Sequence, residues 1–253
     1  MKISVCGKGG SGKSTLVSML ALQAEARQHD ILVVDSDESN YGLFRMLGFH
    51  HSPTGPRMDP VGGKHALKDK MQSSNILTEA RITIDGIPAR HMLTRNGIRF
   101  VSIGKILQSF EGCACPMGVL SREFLGKLVL DDNQIAIVDM EAGVEHFGRG
   151  IDNSIDTVLL VVEPSLESMA VAVRIRDLAA GIQKRLLAVL NKVGSNKVAE
   201  RVKAELKRKD IDVIGIIQND TAVFEACLEG YALNRGDAFD AAGRILAYLM
   251  RQH

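Results

Sequence analysis

Nine residues near the start of the chain could hold a triphosphate. Gly7-Lys8-Gly9-Gly10-Ser11-Gly12-Lys13-Ser14-Thr15 fits the pattern G-x-x-x-x-G-K-[ST]. The glycines let backbone N–H groups curl around phosphate oxygens, and a helix beginning just after them adds its positive end. Lys13 would reach the β- and γ-phosphates, and the Ser14 hydroxyl would ligate Mg²⁺. Lys8, taken alone, reads as a solvated loop charge. Three acids suit the same chemistry. Asp35 and Asp37 follow the apolar run Ile31 to Val34, and Asp139 follows Ile135 to Val138. A carboxylate at a strand's C-terminal end can hold the Mg²⁺ shell, directly or through water, or place an attacking water. Asn191, after the run Leu186 to Leu190, sits where an amide could meet a base.

A second group is Cys113-Ala114-Cys115-Pro116. Two thiolates at i and i+2 in an extended loop point to one side and can chelate one soft metal. One pair leaves such an ion half satisfied, and a two-fold axis would complete four sulfurs. The pair also reads as two ordinary thiols or a redox couple. Cys6, in an apolar strand, and Cys227, in a helical segment, read as packed core thiols.

These residues need a scaffold that brings strand ends together. Apolar runs at Lys2 to Cys6, Ile31 to Val34, Ile98 to Ile103, Ile135 to Val138, Val158 to Val162, Leu186 to Leu190 and Val213 to Ile217 alternate with helical patterns. The first helix is expected over Lys13 to Arg27, with Leu16, Leu20 and Ala24 on one stripe. Continuous apolar strands separated by helices predict an α/β fold, a mostly parallel twisted sheet with helices on both faces. The 253 residues read as one P-loop domain with an irregular insertion at about 50–97. The face of Lys197 to Lys209 reads as solvated, with a Val198, Val202, Leu206 stripe. The C-terminal helix, with Phe239, Leu246, Leu249 and Met250, is expected to pack on the domain.

A net charge of +1, 4% aromatics and no Trp speak against a nucleic-acid surface. No apolar run reaches the roughly 20 residues of a bilayer span. The first strand runs straight into the loop, so a cytoplasmic protein with reduced thiols and no membrane partner is expected.

Lys-Gly-Gly-x-Gly-Lys-Ser at 8–14 resembles the deviant loop of the MinD and nitrogenase-iron-protein family of dimeric ATPases. Val-Asp-Ser-Asp at 34–37 looks like its first switch, and Asp-Met-Glu-Ala-Gly at 139–143 like Walker B with the second switch. The resemblance implies a homodimer that sandwiches two ATP molecules face to face. It makes Lys8 a catalytic residue that crosses to the other subunit's phosphates, and Asp37 the residue that orients the attacking water. Within that family, Gly112 to Pro116, residues 139–146 and Arg149-Gly150 look like the branch that inserts nickel into carbon monoxide dehydrogenase (the CooC type). That resemblance implies a Ni²⁺ or Zn²⁺ ion shared between subunits by Cys113 and Cys115, with carbon monoxide dehydrogenase as client. Gln218-Asn219-Asp220 departs from the proline-containing segment of the family. The alternatives are a positioning or partitioning ATPase, and an electron-transferring iron–sulfur ATPase.

Overall fold

The computed structural model describes residues 1–37, 42–49, 61, 76–103, 115–142 and 154–252. Ten strands are placed among them: β1 Lys2–Gly7, β2 Asp30–Asp35, β3 Ile82–Thr83, β4 Leu93–Arg95, β5 Ile98–Ser102, β6 Leu128–Val129, β7 Gln134–Asp139, β8 Thr157–Val162, β9 Arg185–Val193 and β10 Asp212–Gln218. Eight of them form one sheet in the order β10-β9-β8-β1-β7-β2-β5-β4. Every pairing in it is parallel except β4 with β5. The expected α/β sheet is therefore present, and each of the seven expected apolar runs forms one of its strands.

Alternate residues of each central strand serve two different cores. Ile3, Val5, Ile31 and Val33 face the cluster beneath α1 (Lys13–Glu25). Cys6, Leu32 and Val34 face the cluster on the opposite side. Helices cover both faces, so neither set of alternate residues stays polar, and the strands read as continuous apolar runs. After the one-turn α2 (Leu43–Met46), α3 (Cys115–Lys127), α4 (Leu166–Gly181) and α5 (Asn196–Lys207) lie on the face opposite α1. α6 (Thr221–Glu229) and α7 (Asp237–Arg251) return to the α1 face.

Two details differ from the sequence reading. α1 ends at Glu25, two residues short of Arg27, because Gln28 turns to φ 63°. In α5 the buried positions are Ala199 and Leu206, while Val198 is exposed, so the apolar stripe is rotated from Val198 toward Ala199. α7 packs as expected, burying Leu246 and Leu249 against the domain.

Of the irregular stretch at 50–97, His50, His51, His65 and its prolines at 53, 56 and 60 lie outside the described residues. The described part is short and ordered by the core. Leu77, Ile82, Ile84 and Ile87 join the same cluster as Phe124 and Val138. β3 pairs with β6 in a separate two-stranded sheet. β4 closes a hairpin on β5 through Asn96 at φ 51° and Gly97.

No helix among the described residues is long and apolar enough to cross a membrane.

Close approach of α7 to the sheet depends on one glycine. A Cβ on Gly215 in β10 would stand 2.3 Å from Ile245 Cγ1. Gly215→Val is therefore expected to cost about 1–3 kcal/mol through overpacking. The check is a urea midpoint, and an unchanged midpoint would show that α7 is free to shift.

Candidate active site

β1 lies at the centre of the sheet, with β7 on one side and β8 on the other. Its C-terminal end is the point where successive connections diverge, and ligands collect there in open α/β sheets. The loop begins at Gly7, where a Cβ would stand 2.5 Å from the carbonyl oxygen of Val161 on β8. Gly7 therefore lets the strand leave the sheet against its neighbour. Gly10 and Gly12 adopt φ 77° and 94°, which other residues rarely tolerate. Gly12 is the N-cap of α1, and no side chain caps that helix end. Its first-turn N–H groups thus face the loop, available to anionic oxygens.

Each cation around the loop is bound to an oxygen of this chain. Lys13, only 6% exposed, donates from Nζ to the carbonyl oxygen of Lys8 at 3.4 Å. Lys8 Nζ lies 2.8 Å from Glu163 Oε1, and Lys192 Nζ donates to the carbonyl oxygen of Gly10. Lys192 stands at φ 57°.

Asn191 is buried, and its Nδ2 donates to the carbonyl oxygen of Ser11 at 2.8 Å. A Cβ on Gly12 would stand 2.3 Å from that Nδ2. In this arrangement Asn191 braces the phosphate loop, a role that its expected place near a base did not suggest.

Beneath the loop the parallel register lines up carboxylates. Asp35 on β2 pairs with Asp139 on β7, and Val5 on β1 pairs with the same Asp139. Asp35, Asp37 and Asp139 are all buried, and the Asp37 N–H donates to Asp35 Oδ1 at 3.1 Å. Ser14 Oγ donates to Asp139 Oδ2. Asp139 Oδ1 is buried with no hydrogen-bond partner among the described residues. Burial, with the charges of Asp35 and then Asp37, pushes the Asp139 carboxyl up from 3.8 to about 7, against the opposing Ser14 hydroxyl and Lys13 charge.

A half-buried hydroxyl, an orphaned carboxylate oxygen and two neighbouring acids suit a hard divalent cation. Ser14 and Asp139 would hold Mg²⁺, which supplies neutralising charge beside the β- and γ-phosphates. Asp37 lines the cavity beside the loop.

That cavity, of about 540 Å³, runs from Gly9, Gly10, Gly12, Lys13, Ser14 and Thr15 past Asn191 to Gln218, Asn219 and Asp220. Asp220 N-caps α6, accepting from the Ala222 N–H at 2.8 Å. The cavity also exposes a residue that periodicity placed elsewhere. Cys227 is exposed, lines the cavity and has its Sγ 3.5 Å from Thr15 Oγ1, so it is no core thiol. An apolar helical period does not say whether the face it marks is covered. Cys6 is packed in the core as expected, and burial pushes its thiol up to about 12.

Cys113 lies outside the described residues, as do Gly112, His146 and Arg149. The backbone of Cys115 opens α3. Among the described residues no cluster of three metal-binding side chains occurs.

Comparison with known proteins places these features in a wider group. The model of the CobQ/CobB/MinD/ParA nucleotide binding domain matches residues 3–233. An uncharacterized ATP-binding protein of Methanocaldococcus jannaschii is 37% identical over 92% of this chain and 94% of its own length. The carbon monoxide dehydrogenase accessory protein CooC of Rhodospirillum rubrum is 30% identical over 88% of this chain and 85% of its own. The cell division ATPase MinD of Pyrococcus furiosus superposes with a TM-score of 0.71 at 20% identity, over all of this chain and 99% of that one.

Lys13→Ala is expected to abolish ATP hydrolysis, since developing phosphate charge loses its fixed cation. Asp37→Asn should bind nucleotide and lose turnover. Wild-type turnover in either variant would overturn the site as drawn. Asp139 also gives a pH signature in protein free of divalent ions. Its folded value lies above the unfolded one, so its contribution to stability is complete below about pH 4 and is lost as pH rises to about 7. Asp139→Asn should flatten that fall in a urea titration across the window, and an unchanged slope would contradict the assignment.

Proposed function

The chain belongs to the CobQ/CobB/MinD/ParA family of P-loop ATPases, and on that premise we propose that it is a dimeric metallochaperone. It couples ATP binding and hydrolysis to delivery of nickel into carbon monoxide dehydrogenase during maturation of that enzyme. Two subunits enclose two nucleotides. Lys8 reaches across to the partner's phosphates, Lys13 holds those of its own subunit, and Asp37 orients the attacking water. Closure brings the Cys113 and Cys115 thiolates of the two chains together, so that one soft metal ion meets four sulfurs.

The observation that carries this reading is the Cys113-Ala114-Cys115 pair in a chain 30% identical to CooC over 88% of its length. The hydrolytic centre supports the ATP-driven half of it, since buried Asp37 and Asp139 stand beside the loop and Ser14. A positioning or partitioning ATPase is the second reading; α7 turns Ile245, Leu246 and Leu249 onto the sheet, while α6 leaves Phe224 and Leu228 exposed.

A site built on a two-fold axis fixes its stoichiometry. Nickel or zinc titrated into reduced apoprotein should bind at one ion per two chains. Metal should drive dimerisation by mass action, an effect that fades at acid pH as thiolates are protonated. Cys113→Ala and Cys115→Ala should each lose the four-sulfur site, since each change removes two ligands at once. One ion per chain, or unchanged metal binding by a monomeric Cys113→Ala variant, would remove the physical basis of the metallochaperone reading.

A further inference from the structure

Lys8 Nζ is 2.8 Å from Glu163 Oε1, a contact made wholly within one chain. The sheet register makes the pairing local. Gly7 on β1 lies opposite Val161 on β8, so Lys8 and Glu163 leave adjacent strands side by side. Glu163 is itself well fixed. Ser165, the N-cap of α4, donates from Oγ to Glu163 Oε1 at 3.3 Å, and the Glu163 N–H donates to Ser168 Oγ at 3.1 Å. Lys192 Nζ stands 4.0 Å from the other carboxylate oxygen. The two side chains are 34% and 18% exposed, reachable from solvent yet partly shielded. Their mutual hydrogen bond raises the Lys8 ammonium and lowers the Glu163 carboxyl, so both carry charge at neutral pH.

We propose that Glu163 is a positioning residue that holds the Lys8 ammonium on its own subunit, and that it must release it before a second copy of the chain closes over the nucleotide. The inference rests on the sandwich reading above, in which Lys8 acts in trans. Reaching a phosphate held by another chain takes the ammonium off a carboxylate of its own. The exchange is favourable only when a triphosphate stands opposite, because a polyanion offers more negative charge than one carboxylate. Glu163 thereby keeps nucleotide-free chains apart and raises the protein concentration at which ATP assembles the dimer. A two-fold dimer breaks two such pairs, so the effect enters the dimer constant twice.

The test measures the dimer dissociation constant by sedimentation equilibrium with a slowly hydrolysed ATP analogue and Mg²⁺ at 0.15 M salt, the ionic strength at which screening of exposed pairs is physiological. Glu163→Gln should dimerise more tightly than wild type by about two- to thirtyfold, the range set by two partly exposed pairs. Its affinity for a fluorescent ADP as monomer should change little, which shows that it is folded. Glu163→Ala must move the dimer constant in the same direction. In a Lys8→Ala background, Glu163→Gln should have no effect, a coupling that a purely structural role for Glu163 would not produce. A Glu163→Gln dimer no tighter than wild type, or a tightening that persists without Lys8, overturns the proposal. The premise fails differently: wild type that stays monomeric with the analogue, or Lys8→Ala that dimerises as well as wild type, defeats the sandwich whatever Glu163 does.

Discussion

The site depends on the space that Gly12 leaves empty. At φ 94° the residue turns the chain from loop to helix, and Asn191 Nδ2 occupies the volume that a Cβ would need. One contact therefore ties the start of α1 to the end of β9, 180 residues apart in sequence, through the Ser11 carbonyl. No side chain caps this helix start, so its first-turn N–H groups stay directed at the loop. Lys13 and Ser14 follow on the first turn, so their positions also derive from this packing. A side chain at residue 12 would displace Asn191 and the loop together.

The sheet register beneath imposes an electrostatic load that the loop is placed to share. Parallel strands put Asp35 beside Asp139 at one level, both almost fully buried. Burial first, and then repulsion from the Asp35 charge, raises the Asp139 carboxyl so that it holds its proton more firmly. Ser14 relieves one oxygen by donating to it and leaves the other without a partner. A proton or a divalent cation can meet the remaining need. Proton affinity and metal affinity are thus two readings of the same crowded carboxylates, so acids that would position a nucleotide's metal also destabilise the metal-free fold as pH rises toward 7.

Much of this was legible in the residues. The strand ends, the glycine loop and Asp35, Asp37 and Asp139 follow from apolar runs and turn chemistry that act over a few residues. What escaped the sequence was set by packing between distant segments. β4 is three residues long and lies at the sheet edge, and β3 and β6 hold only two residues each. Elements that short carry no period. The contact of Asn191 with Ser11 and Gly12 joins segments 180 residues apart, a separation that no local pattern reports. Cys227 fell on a helical pattern whose outer face lies open beside the loop. Glu163 gave no signal at all, being an acid just after a strand, and only the β1–β8 register shows what it faces.

The three lysines around the loop share a feature that bears on how such a site responds to its ligand. Lys8 sits on Glu163, Lys13 on the Lys8 carbonyl and Lys192 on the Gly10 carbonyl. Lys8 and Lys192 have the Glu163 carboxylate within 4.0 Å, whereas the buried Lys13 ammonium rests on a neutral carbonyl. A triphosphate must then compete with the chain's own oxygens. The competition is uneven, since neutral carbonyls hold an ammonium less firmly than a carboxylate does. Lys13, held by a carbonyl, would therefore yield first, and Lys8 would yield last, with Lys192 between them because it also stands 4.0 Å from the Glu163 carboxylate. On the sandwich reading proposed above, that order of partner strengths would separate binding within one chain from assembly with another, using no element beyond the loop and the two strand ends that flank it.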